Sequence, residues 1–256
     1  TLLTGIFMIF LILQYASIIL SAFIDYNKGK MFLTLNHIWE IGNYTNNTVF
    51  RSIYYSFLAA FTGSILGLLL QYYIHIRGKK YLKIVDFIAT MPYMLPGIFF
   101  GIGYILAFNH EPINIAGTAL IVILNITFKQ LPFSTKIFHI SMANIDKNEI
   151  LSGKDLGADE YHIFKDIVFP ASLEEFLVSM INNFNATMTT VGSIIFIVYP
   201  SQKVLTLVMF DVINSGKYDI ASVIALLIIT ICICFSMILL GIRILIKNRR
   251  GYVFRS

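Results

Sequence analysis

Six runs of mostly apolar residues alternate with short polar stretches along the chain, at roughly 2–24, 49–74, 85–108, 115–139, 174–198 and 221–246. A helix that crosses a bilayer needs ~20 predominantly apolar residues, and each run meets that length. None of the connecting stretches is long enough for a separate soluble domain. The pattern predicts an all-α membrane protein of six transmembrane helices, with residues 1–256 forming one membrane domain. The first run has no basic segment before it and no small-residue cleavage site, so it is expected to stay in place as a span rather than act as a signal peptide. The chain opens on Thr1 rather than Met, and further residues are expected upstream.

Composition agrees with this pattern. Of 256 residues, 57% are hydrophobic and only 13% charged, against about 25% charged in a soluble domain. Mean hydropathy is +0.76. A net charge of +5 would suggest nucleic acid in a soluble protein; here the retention of Lys and Arg in cytoplasmic loops accounts for it, and no nucleic-acid partner is expected. Arg77, Lys79, Lys80 and Lys83 fill the connection between the second and third runs. Lys136, Lys147, Lys154 and Lys165 mark the central connection, and Lys247, Arg249, Arg250 and Arg255 the tail. The connection at 109–114 has no Lys or Arg. With six spans, all these loops agree on cytoplasmic termini. Trp39, Tyr26 and Tyr44, in the first outer loop, read as interfacial anchors.

Two spans carry candidate pathway chemistry. The third opens with MPYMLPGIFFGIGY, where Pro92 and Pro96 remove backbone donors and Gly97 allows close approach of another helix. These residues read either as a hinge or as an ordinary kinked packing helix. In the fifth span, Asn182, Asn185, Thr189 and Ser193 share one side of a helical wheel, and Asn183, Thr187 and Thr190 widen that arc. Seven polar side chains in hydrocarbon need protein or water to face, and a translocation pathway or interhelical hydrogen bonding would each supply it. No convincing buried charged residue is expected near the centre of a span, which weighs against an ion-coupled carrier. The five histidines and two cysteines, Cys232 and Cys234, show no metal-ligand spacing, so no metal site is expected. There is no nucleophile or nucleotide-binding motif, and the chain does not read as an enzyme.

The central connection, LSGKDLGADEYHIFKDIVFP from Leu151 to Pro170, is a charged, helix-forming island between spans. It resembles the EAA loop of the permease subunits of type I ABC importers, which reads E-A-A, three residues, G, nine residues, I-x-L-P. Gly157 and Pro170 match the glycine and proline at the family spacing, and Ile167 the isoleucine. Ser152 and Gly153 stand for the alanines, while Leu151 replaces the glutamate. MPYMLPGIFFGIGYILAF is similar to the family's P-x-x-x-P-G helix, and TTVGSIIFIVYPSQKVLTLVMF to the distal part of the ferric-iron branch, which is related to polyamine, thiamine and phosphonate permeases.

The resemblance implies the type I permease fold and a cytoplasmic coupling loop at 140–170 that docks an ATPase. The coupling residues it implies are Leu151, Ser152, Gly153, Gly157, Ala158, Asp159, Tyr161, His162, Phe164, Lys165 and Pro170. It further implies two ATP-binding cassette subunits that carry the ATP and Mg, with no cofactor in this chain. A second permease unit, identical, paralogous or fused, and an extracytoplasmic substrate-binding protein complete the assembly in the bacterial cell membrane. Ferric iron is the implied substrate; a polyamine, thiamine or phosphonate importer, or a carrier or channel without an ATPase, are the alternatives. Within the loop, a helix over about 145–156, a turn at Gly157 and a second helix from Glu160 to Asp166 capped by Asp159 are expected. Tyr161 and Phe164 would be its aromatic anchors.

Overall fold

The computed structural model describes residues 2–27, 30–45 and 47–253. Helix α1 (Leu2–Phe23) exposes Phe7, Phe10, Ile12 and Leu13, as a lipid-facing helix does. A short antiparallel pair follows, β1 (Ile24–Asn27) with β2 (Lys30–Leu33), in which Ile24 lies opposite Leu33. Two short helices, α2 (Asn36–Glu40) and α3 (Gly42–Thr45), lead into α4 (Thr48–His75). Next come α5 (Leu82–Thr90), a 3₁₀ turn at Met91–Tyr93 and α6 (Gly97–Phe108). The strands β3 (Asn109–His110) and β4 (Ile113–Asn114) turn the chain into α7 (Ala119–Asn144).

The central loop holds α8 (Lys147–Asp155) and α9 (Glu160–His162). From α9 the chain stays helical through a π-helical stretch at Ile163–Val168 and α10 (Phe169–Ala171). Helix α11 (Leu173–Met188), α12 (Leu205–Asn214) and the long α13 (Tyr218–Val253) complete the chain.

The bundle is built around α4, α7 and α11. Gly67 on α4 lies so close to α7 that a Cβ there would stand 2.5 Å from the Ser134 Cβ, and one on Gly63 would stand 3.3 Å from Asn183 Nδ2. Small residues therefore set the helix separation. Phe184 of α11 stacks on Phe235 of α13 at 3.8 Å between ring centres, within a cluster that also holds Leu205 and Ile224. A second cluster joins Leu68, Tyr72 and Phe138 to Ile150, Ile163 and Val168 of the central loop, so the loop is anchored to the bundle by apolar packing.

Among the described residues, α1, α4 and α13 are each long and apolar enough to cross a membrane, and the bent α5–α6 pair would make a fourth span. Helix α7 has the length but carries Asn125, Thr127, Lys129, Gln130 and Ser134, most of them buried against neighbours. A helix enclosed by others has no need of an apolar circumference. Each of the six predicted runs contains helix, which is compatible with six passes.

The third run is broken at its prolines, a hinge rather than a single kinked helix: α5 and α6 meet at 119°. One boundary differs from the expectation. The fifth does not run on to 198: α11 ends at Met188 after 16 residues, and 190–199 forms turns and irregular backbone. At ~1.5 Å per residue α11 reaches only ~24 Å, short of the ~30 Å core. The turn-forming stretch after it is tolerated because it is packed against α6, as its contacts with Gly97 and Gly101 show.

Candidate functional site

The central loop is a two-helix element with both turns capped. Asp146 accepts from the Asn148 amide at 2.9 Å and opens α8. Helix α8 ends at Asp155, and the chain turns at Gly157, whose φ of +84° suits a residue without a Cβ. The Gly157 amide bonds the Lys154 carbonyl at 2.9 Å, and the Ala158 amide the Gly153 carbonyl at 3.0 Å. This pair of bonds is the Schellman pattern. Asp159 then caps α9 by accepting from the His162 amide at 2.8 Å, and its carboxylate also meets His162 Nδ1 at 2.7 Å. The amide bond first, and the imidazole second, hold the Asp159 carboxyl below the usual carboxylate range.

Gly153 is small for a visible reason: a Cβ there would stand 3.1 Å from Ile167 Cδ1. The helix expected at 160–166 does not stop there. It widens into the π-helical stretch, and Phe169 donates to the Phe164 carbonyl five residues back. Widening makes room before Pro170, whose ring would otherwise press on the carbonyl four residues earlier.

The two expected anchors face different ways. Phe164 faces the bundle, its ring centre 5.0 Å from that of Tyr72 and 6.3 Å from that of Phe169. Tyr161 points outward, 64% exposed, with Lys165 Nζ 5.9 Å from its ring centre. Leu151 and Leu156 are also exposed, Leu156 at 89%. Ser152 is exposed and Ala158 half-buried. Leu156, absent from the expected coupling set, is the most exposed large apolar side chain described in this loop. Arg77, of the basic connection, pairs with Glu160, so the two Lys- and Arg-bearing connections lie at one end of the bundle. Arg243 near the end of α13 and Glu174 at the start of α11 meet at 3.1 Å at that end.

One charged residue, the half-buried Lys129, stands near the centre of α7. Lys129 Nζ donates to the carbonyls of Pro92 at 3.0 Å and Leu95 at 3.2 Å, and lies 5.8 Å from the centre of the Phe100 ring. The break between α5 and α6 leaves carbonyls without helical partners, and Pro96 has no amide to offer. The lysine supplies the missing donors from α7. Pro92 is buried in the 3₁₀ turn, Pro96 begins α6 in extended conformation, and Gly97 packs on the Ser193 amide, 3.2 Å from where its Cβ would be. The expected hinge residues thus surround the break and touch the segment after α11.

The expected pathway residues divide into two groups. Asn183 is fully buried; its amide donates to Ser134 Oγ at 2.8 Å and reaches Ser64 Oγ at 3.4 Å, and Ser179 bonds both serines. Thr187 and Ser193 are buried as well. Asn182, Asn185 and Thr189 instead line an open cleft of about 810 Å³ among α1, α7, α11 and α13. Asn185 also donates to Ser236 on α13 at 3.1 Å. Thr190 turns back onto the Ala186 carbonyl at 2.6 Å. The cleft offers amides and hydroxyls and no charge. Among the described residues, no three His, Cys, Asp or Glu side chains converge.

The family model for "Binding-protein-dependent transport system inner membrane component" matches residues 61–246. The chain belongs to this family. The match includes the capped loop, the α5–α6 break and α11. The permease is 27% identical over 174 residues to a ferric transport system permease protein of Actinobacillus pleuropneumoniae, a match that covers 68% of this chain and 25% of that one. It is 25% identical over 248 residues to a spermidine/putrescine transport system permease protein of Haemophilus influenzae, covering 93% of each. The match thus spans about a quarter of the ferric relative. A solved bacterial ABC transporter involved in the import of the acidic polysaccharide alginate has a chain of the same fold, with a TM-score of 0.76 at 15% identity, covering 94% of this chain and 93% of that one. As an ABC importer permease, this inner membrane component is a multi-pass, non-enzymatic membrane subunit.

Proposed function

We propose that this permease forms half of a translocation pathway for ferric iron and is driven by separate ATPase subunits that dock on 140–170. The observation that carries the docking is the capped loop. Two side-chain caps and a Schellman turn define the ends of α8 and α9, apolar packing seats them on the bundle, and Leu156 and Tyr161 stand exposed on that element. Exposed apolar side chains on an ordered, charged loop suit burial in a partner's cleft. ATP and Mg belong to that partner, and two ATPase subunits serve two permease units. The loop end is cytoplasmic, on the strength of its Lys and Arg content.

The ferric assignment rests on the named ferric relative and on the distal motif. Amides and hydroxyls in the cleft suit transient passage rather than storage, because a ferric ion held for long wants anionic oxygen ligands. Selectivity then rests with an extracytoplasmic binding protein. A polyamine importer is the second reading, favoured by the full-length match to a spermidine/putrescine permease.

Uptake assays with the cognate binding protein, offering ferric iron, spermidine and a phosphonate in turn, decide the substrate; uptake of spermidine alone overturns the iron reading. For docking, Tyr161→Asp is expected to abolish ATPase co-purification while the permease stays folded and monodisperse. Unchanged co-purification overturns the docking surface.

A further inference from the structure

A second feature at the loop end is left unexplained by docking or by the cleft. The last turns of α4 and α7 and one face of α8 enclose a pocket of about 410 Å³, within the range of small-ligand sites. His75, Lys147 and Lys154 line it together with Met142, Ile150 and Leu151, and none of its lining residues is acidic. His75 Nε2 lies 3.1 Å from His139 Nδ1. With His139 donating in that bond, the Nδ1–H of His75 is left to donate elsewhere.

Helix C-termini carry partial negative charge, which opposes an anion here. That opposition is reduced at α4, where the Tyr72 carbonyl already accepts from the amides of Ile76 and Arg77 at 2.9 and 3.2 Å. Lys147 and Lys154 add two full charges from α8. The height of the pocket follows from helix length. Helix α4 has 28 residues and α7 has 26, so each is ~40 Å long and overshoots a ~30 Å hydrocarbon core by ~5 Å at either end. Their last turns therefore reach the phospholipid headgroups.

We propose that this pocket binds the phosphate of an anionic phospholipid. Lys147, Lys154 and His75 hold the phosphate, and Met142, Ile150 and Leu151 cover the first carbons of the chains. Basic pockets between helices at the cytoplasmic face are suited to such headgroups. The inference rests on the membrane family of the chain and not on the iron or ATPase proposals. A bound lipid would bridge α8 to α4 and α7 and so brace the central loop from the membrane side.

The test is native mass spectrometry of the assembled transporter with phosphatidylglycerol and phosphatidylcholine added in equal amounts, paired with thermal unfolding. Preferential retention of phosphatidylglycerol and a raised melting temperature are expected. Lys147→Gln and Lys154→Gln should each lower that retention about fivefold, the equivalent of ~1 kcal/mol per cation near the membrane surface. The Lys→Arg pair should keep it. Equal retention of the two lipids overturns the proposal, as does retention unchanged in the glutamine variants. It is likewise overturned if inorganic phosphate alone reproduces the stabilisation, or if the glutamine variants keep the lipid but lose the ATPase. Should one glutamine variant fail to fold, the other and the lipid preference of the unmodified transporter still decide.

Discussion

Lys129 stands in the fourth apolar run, where a charge is costly unless it is paired. Its ammonium replaces the donors that Pro96 and the break in the third run take away from the Pro92 and Leu95 carbonyls. Lys129→Met removes both hydrogen bonds, and about 2 kcal/mol of stability should go with them; Lys129→Arg should recover part. Thermal unfolding of the purified permease measures both. Close approach makes a second residue-scale prediction. A Cβ on Gly101 would stand 2.4 Å from the Ser193 carbonyl oxygen, whereas one on Gly103 meets nothing within 4 Å. Gly101→Ala should therefore destabilise by ~1–3 kcal/mol, and Gly103→Ala should leave the melting temperature near its original value. Both glycines belong to one Gly-rich stretch of sequence, and nothing in that stretch separates them. The difference lies in the 192–193 segment that passes over one and misses the other.

At the scale of elements, the central loop was largely legible. Gly157 predicts a turn because a residue without Cβ tolerates positive φ, and Asp159 predicts a cap because a carboxylate accepts from free amides. The direction of Phe164 was not legible. Phe164 packs edge-on against Tyr72 at the end of α4, a partner distant in sequence that no local pattern names, and Phe164→Asp should cost the fold, not merely the docking. The cap also has a pH signature. The Asp159 carboxyl is held below its ordinary value, so its stabilisation is fully present above that ordinary value and lost only as pH falls through the lower, folded one. Hydrogen exchange of the His162 amide should thus show protection that is constant from pH 8 to 5, once corrected for the intrinsic rate. Asp159→Ala should remove the protection at every pH in that range, and Asp159→Asn should keep most of it. A loss of protection in the unmodified protein near pH 6 would show that the cap is not carried by this carboxylate.

Across the whole molecule, the polar arc of the fifth run serves two purposes, and these can be separated by mutation. Asn183 links α4, α7 and α11 through Ser64, Ser134 and Ser179. Asn183→Leu should lower stability by ~1–3 kcal/mol because it strands buried hydroxyls. Asn182 and Thr189 line the open cleft, and their replacement by Leu should reduce transport with little change in melting temperature. Stability loss in the cleft variants, or normal stability in Asn183→Leu, would dissolve the distinction. The sequence by itself determined the membrane setting, the helical class, the end at which the basic connections gather and the two turns of the central loop. Each of these depends on local quantities: run length, charge count, or the backbone preference of one residue. Only the tertiary structure decided where α11 ends, how sharply α5 and α6 meet, why Lys129 is tolerated and which asparagines are interior. Those outcomes depend on which carbonyls lack donors and which helix faces touch, and partners distant in sequence supply both.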